Sequence, residues 1–193
     1  GRLGPGQIIA INLDKGKVFN SKSIKDHISK DYKKYNKQII NLDKKFGKER
    51  VFDVPTSENA LTGISVGLAI NGVRSVVSHQ RLDFFLLAMD QLVNAASKWH
   101  YMFGGQQNIP ITIRLIVGRG WGQGPTHSQS LHSWFAHIPG LKVVMPYDAN
   151  DARDLLISSV LADDPVVFMD DRWLYDEEFI DKGLKLIDLK DVK

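Results

Sequence analysis

The chain has 193 residues, 43% apolar and 24% charged, which is enough for one domain with a sizeable core and the profile of an ordinary soluble globular protein. It contains no cysteine, so disulfides and thiolate chemistry are excluded. The opening GRLGPGQ is not a signal peptide, and no apolar run approaches the roughly 18 residues of a membrane span.

The net charge of +3 is unevenly spread. Twelve Lys or Arg lie between Lys15 and Arg50 against Asp26, Asp31, Asp43 and Glu49. The interleaved acids, and the lack of any binding motif, favour a solvated or partly mobile segment over a nucleic-acid surface. Residues 1–45 are therefore read as a basic N-terminal segment. Arg50–Val54 is a short extended entry. Pro55 stops any earlier helix, and Thr56 or Ser57 can cap a new one. From Asn59 to Ile70 that helix has no charge and many small residues, so it is apolar all round and is expected to be buried. Gly63 and Gly67 fall on one face, where each costs about 1 kcal/mol against alanine, and predict close approach of another backbone.

Val73–Ser78 reads as a buried strand and Asp83–Tyr101 as one long helix, broken at Gly104-Gly105. Ile111–Val117 (ITIRLIV) is a β-branched strand ending in the glycine-rich loop Gly118–Pro125. A short helix over Ser128–Phe135, a turn at Pro139-Gly140 and a strand over Lys142–Met145 follow. Asp148–Leu161 is a helix with Asp148 or Asn150 as its cap, and Pro165–Met169 is the last strand. Strands that are near-continuous apolar runs, alternating with helices, predict a doubly wound α/β domain with a mostly parallel sheet and helices on both faces. Its ligand would lie off the carboxyl ends of the strands, around Ser78–Phe84, Gly118–His127 and Pro146–Asp148.

Two stretches carry candidate chemistry. Glu58 is a lone acid heading an uncharged helix. A first-turn acid favoured by the helix dipole and a buried functional carboxylate are both open on local grounds. The loop 118-GRGWGQGPTHSQS-130 has four glycines followed by a dense polar group. It matches neither the phosphate-binding Walker pattern nor the dinucleotide fingerprint. His127 within it is either an acid/base group or a hydrogen-bonded structural one, and His132 and His137 read as surface or packing residues. The six histidines form no metal-ligand set, His79 has no accompanying acid, and no GxSxG elbow is present, so no metal site is assigned.

The runs ERVFDVPTSENALTG, AMDQLVNAASKWHYMFGGQ, THSQSLHSWFAHIPGLKVVMPYDANDARDLL and DDPVVF resemble the β subunit of 2-oxo acid dehydrogenase E1 components of the pyruvate and branched-chain type. The resemblance covers about Phe46 to Tyr175, and its several motifs stand in a fixed order. It implies a transketolase-like pyrimidine-binding domain over 46–176, with 177–193 beginning a linker to a further domain. It further implies thiamine diphosphate, with Glu58 at N1′ of the aminopyrimidine, where a carboxyl group of raised pKa would promote removal of the thiazolium C2 proton. Phe84 matches the ring that stacks on the pyrimidine, Gln80 is its neighbour on the rim, and His127 matches the active-site histidine of the HSQ motif.

The implied partners are an E1 α subunit holding the diphosphate and Mg²⁺, a second β subunit, and a lipoyl-bearing acyltransferase E2. The substrate would be a small 2-oxo acid, in the bacterial cytoplasm or an organelle matrix, with no role for nucleic acid or membrane. The GISVG face is the candidate for close contact between chains. The sequence departs from the family around Gln80-Arg81-Leu82, where Arg81 either binds a carboxylate or pairs with Asp83. Ketol transfer, acetoin cleavage or a non-catalytic assembly module are the alternative readings.

Overall fold

The computed structural model describes residues 10–12, 17–19, 42–120, 122–176, 180–190 and 192. It divides into two compact units, Gly1–Pro55 and Thr56–Lys193. In the first, β1 (Ala10–Asn12) pairs antiparallel with β2 (Lys17–Phe19), and α1 spans Leu42–Phe46. The rest of the basic N-terminal segment lies outside the described residues.

The second unit is built on a sheet of four parallel strands in the order β3-β4-β6-β5, where β3 is Ser75–His79, β4 Ile111–Val117, β5 Lys142–Val144 and β6 Val166–Asp171. β4 and the first four residues of β6 are largely apolar runs covered on both faces, whereas β3, expected from the sequence as a buried strand over Val73–Ser78, starts at Ser75 and leaves Val76 49% exposed, because it ends the strand order of the described sheet. Ile111, Ile113, Leu115 and Val117 alternate along β4 onto one face, where they join Leu82, Phe85, Leu92 and Phe135 in the main core. Val166 and Phe168 of β6 enter a second core on the other face with Val144, Leu155 and Leu189. The architecture is the doubly wound α/β arrangement that the alternation of strands and helices implied.

Helix α2 (Glu58–Ile70) starts behind Ser57, whose side chain makes no capping bond. It is not buried all round. Thr62, Ser65, Val66 and Ala69 face the interior, whereas Ile64 is 59% and Leu68 39% exposed. Among the described residues the elements that pack on α2 cover one side of it, so its uniform apolarity does not translate into uniform burial. Among the described residues no backbone of this chain closes on the two glycines: a Cβ on Gly63 would meet the Gln91 side chain, and one on Gly67 would meet nothing within 4 Å.

The long helix expected over Asp83–Tyr101 is a continuous helical run of changing pitch. It opens as α3 (Leu82–Phe85), tightens over Leu86–Ala88, widens into a π-helical stretch over Gln91–Ala96 and closes as α4 (Ser97–Met102). Gly104 and Gly105 then take positive φ and end it. Helix α5 occupies His132–Ala136, starting later than the sequence suggested because 126–131 is held in the loop.

Helix α6 (Ala149–Leu161) is capped by Asp148, whose carboxylate accepts the Asp151 N–H at 2.8 Å. Asn150, Asp154 and Ser158 fall on one face of α6 and hydrogen-bond the backbone of Ile180, Lys182, Lys185 and Ile187. Residues 180–190 are thus tied along this helix.

Candidate active site

The carboxyl ends of the strands fall along one edge, since His79 pairs with Leu115, and Val117 with Asp171. Glu58 stands in the first turn of α2, which packs on β3 and α3. Its backbone carbonyl accepts the Thr62 hydroxyl at 2.8 Å, while its carboxylate has no hydrogen-bond partner among the described residues. The side chain is half-buried rather than enclosed. That Glu58 heads a helix follows from Pro55 and Ser57. Its freedom from side-chain partners follows only from the fold.

His79 corrects a sequence expectation. No acid accompanies it in the sequence, yet Glu58 is the charge that acts on it in the fold. The residue is 9% exposed, its ring stands edge-on to Phe85 at 4.9 Å, and Nε2 is buried with no hydrogen-bond partner among the described residues. Burial pushes the imidazole below its ordinary 6.5, and the Glu58 carboxylate partly offsets this. The signal available in the sequence was a histidine ending an apolar strand.

Phe84 and His127 come together. Their ring centroids are 5.1 Å apart at 84°, and Phe84 is 41% exposed, so it is not a core residue. Thr126 Oγ1 lies 3.1 Å from His127 Nδ1, and Nε2 has no hydrogen-bond partner among the described residues. The glycine loop makes this possible. Gly120, Gly122 and Gly124 have positive φ, and Gly118 is so close to the His127 backbone that a Cβ there would sit 2.5 Å from the carbonyl oxygen.

Two further contacts join the same segments. Arg81 donates to the Gln80 carbonyl and, at 2.8 Å, to Gln123 Oε1. Asp83, which is buried, accepts the Gln129 N–H at 3.2 Å through Oδ1. Arg81 therefore does not pair with Asp83. Gln80 itself is exposed on the rim. Four of the six buried polar atoms without a partner among the described residues lie here: His79 Nε2, Arg81 Nε, Asp83 Oδ2 and Ser128 Oγ. Each lost partner costs about 1–3 kcal/mol, so such a cluster marks a place where a polar ligand or water completes the bonding.

A separate cluster lies mid-sheet. Arg114 pairs with Asp170, which is 4% exposed, and both bond the Tyr175 hydroxyl, at 3.0 Å from Arg114 and 2.6 Å to Asp170. Burial, with the Asp170 carboxylate second, pushes the Tyr175 phenol up to about 12. Among the described residues, no group of three His, Asp or Glu is placed to hold a metal ion, and no helix is long and apolar enough to cross a membrane.

A parallel α/β sheet with a carboxylate, an exposed aromatic ring and a loop histidine at its carboxyl edge defines a doubly wound α/β domain, the class in which ligands lie off the carboxyl ends of the strands. The family model for the transketolase pyrimidine-binding domain matches residues 27–177, and the chain belongs to that family. It is 46% identical over 135 residues to "Pyruvate dehydrogenase E1 component subunit beta-2, mitochondrial" of Oryza sativa subsp. japonica, covering 70% of this chain and 36% of that protein. Against the mitochondrial E1 β subunit of Saccharomyces cerevisiae it is 42% identical over 135 residues, covering 70% and 37%. Against that of Pisum sativum it is 41% identical over 149 residues, covering 77% and 42%. The chain thus spans well under half the length of these relatives. Among solved structures, "Split gene transketolase, inactive beta4 tetramer" matches with a TM-score of 0.58 at 20% identity, over 76% of this chain and 47% of that one, which establishes the common fold.

Proposed function

We propose that this chain carries the aminopyrimidine-binding part of a thiamine-diphosphate-dependent E1 β subunit. With an α subunit it decarboxylates a 2-oxo acid and passes the acyl group to a lipoyl domain of an E2 acyltransferase. The observation that carries this reading is the Glu58 carboxylate, half-buried at the head of α2 and without a hydrogen-bond partner among the described residues. It stands on a helix that packs against α3, whose exposed Phe84 contacts His127. A free carboxyl group and a flat ring off the core fit the edge and face of an aminopyrimidine.

Bound thiamine diphosphate supplies the electron sink for loss of CO₂ from the 2-oxo acid. Glu58 holds a proton at the pyrimidine N1′ and sets the ring's protonation. Phe84 offers an aromatic face for stacking. His127, fixed through Nδ1 by Thr126 and against Phe84 by its ring, keeps Nε2 for proton transfer at the reacting substrate. Gln80 contributes a polar group on the rim. The diphosphate and Mg²⁺ are assigned to the α subunit, because the metal-ligand and phosphate-loop patterns of this chain do not fit them.

The GISVG face of α2, with Ile64 and Gly67 and the exposed Leu68 beyond it, is assigned to contact between chains, which Gly63→Leu on the same face would disturb. The relatives are named mitochondrial, in keeping with an organelle matrix. Neither nucleic acid nor membrane has a part in this reading.

The test uses the full-length chain with its α partner and follows decarboxylation of several 2-oxo acids. Glu58→Ala is expected to lower the rate by roughly 10²–10⁴-fold and to weaken cofactor binding measured by calorimetry. Equal rates and equal cofactor affinity in wild type and variant would overturn the assignment of Glu58. Absence of cofactor binding by the wild-type complex would leave an assembly module.

A further inference from the structure

The proposed chemistry leaves one buried acid unused. Asp83 is 7% exposed, forms no ion pair among the described residues, and keeps Oδ2 sealed from solvent with no hydrogen-bond partner among them. Taking a carboxylate out of water is costly unless a cation or several donors compensate it, so stability alone does not explain this acid. Its Oδ1 accepts one bond, the Gln129 N–H at 3.2 Å.

The two ends of that bond are held differently. Asp83 lies within α3, whose Leu82 and Phe85 are fully buried in the main core. Residues 126–130 follow a loop in which Gly120, Gly122 and Gly124 have positive φ. Among the described residues, no other hydrogen bond joins 126–130 to α2, α3 or the sheet. The bond also stands beside the contact between the two rings. Asp83 immediately precedes Phe84, and Gln129 is two residues beyond His127, whose ring centroid is 5.1 Å from that of Phe84.

We propose that Asp83 is a positioning residue for His127: through the Gln129 N–H it anchors the loop segment to α3 and holds the imidazole against Phe84. The inference rests on the function proposed above for His127 and names the group that sets its geometry. An ionised acceptor makes a shorter and stronger bond to a backbone N–H than a neutral one, which suits a segment with no regular structure to hold it. The buried carboxylate thus exchanges stability for a fixed histidine.

The test uses the full-length chain with its α partner. Asp83→Ala is expected to lower kcat for 2-oxo acid decarboxylation by roughly 10–10²-fold, because a displacement on the order of 1 Å costs that much. Cofactor affinity, measured by calorimetry, should be unchanged. Asp83→Asn, which retains an acceptor oxygen, should recover most of the loss. In a His127→Ala background, Asp83→Ala should lower kcat no further, since nothing is left to position. NMR of isotope-labelled histidine on the same proteins should show the His127 signal displaced in Asp83→Ala and restored in Asp83→Asn. Asp83→Ser, which stays polar but falls short of the Gln129 N–H, takes the place of an alanine variant that does not fold.

An unshifted His127 signal in these variants, or an equal loss of kcat with and without His127, would overturn the inference. If the wild-type complex decarboxylates no 2-oxo acid, the broader reading fails. A His127 signal displaced in Asp83→Ala and restored in Asp83→Asn would still support the anchoring contact.

Discussion

Replacing Gly118 by alanine tests whether the loop geometry is what brings His127 to Phe84. The added Cβ would lie 2.5 Å from the His127 carbonyl oxygen, whereas ordinary contact begins at 3.4 Å, so the loop must retreat by nearly 1 Å. Overpacking of this kind costs about 1–3 kcal/mol. Alanine also restricts the unfolded chain, which returns about 0.4–1 kcal/mol. The net expectation is a loss of about 1–2 kcal/mol, or about 2–8 °C in Tm for a domain of this size. Urea unfolding should show a lower midpoint at an unchanged slope. In NMR spectra the His127 ring protons should move as they leave the Phe84 ring current.

Gly67→Ala is the matched control. Its Cβ meets nothing within 4 Å in mid-helix, so the isolated chain should gain about 1 kcal/mol. Gly118→Ala as stable as wild type, with unshifted His127 resonances, would refute the reasoning.

His79 predicts an acid-sensitive domain. Its folded pKa lies below the ordinary 6.5, so the neutral ring's contribution is complete above that value and is lost as the pH falls through it. The urea midpoint of wild type should fall as the pH is lowered through and below the ordinary 6.5, and less so in His79→Phe; parallel declines would discount the imidazole. Asp170→Ala strands the half-buried Arg114 and removes the acceptor for Tyr175, at a cost of about 2–4 kcal/mol. Asp170→Asn should cost less and bring Tyr175 ionisation down from about 12, followed by its ultraviolet absorbance; an unchanged phenol would deny the carboxylate its part.

The strands and the starts of α2 and α6 were legible because their determinants are local. ITIRLIV is a β-branched run whichever strands flank it, Pro55 and Ser57 stop and open a helix, and Asp148 caps one by bonding a backbone N–H three residues on. Glu58, Phe84, Gln80 and His127 were picked out by motif order, and the structure places them on the segments that meet at the carboxyl edge. Position does not assign their chemical roles, and Glu58→Ala tests the first of them.

What the sequence determined by itself is thus the alternating α/β order, the parallel character of the sheet and the position of the loop rich in glycine. Only the tertiary structure decided which groups act on one another. Arg81 meets Gln123 across 42 residues of sequence, Asp83 meets Gln129 across 46, and Arg114 meets Tyr175 across 61, and no periodicity reports separations of that kind. The same holds for burial. A helix apolar on every side does not reveal which side its own chain will cover, and α2 leaves Ile64 and Leu68 outside because burial depends on the neighbours that the fold supplies.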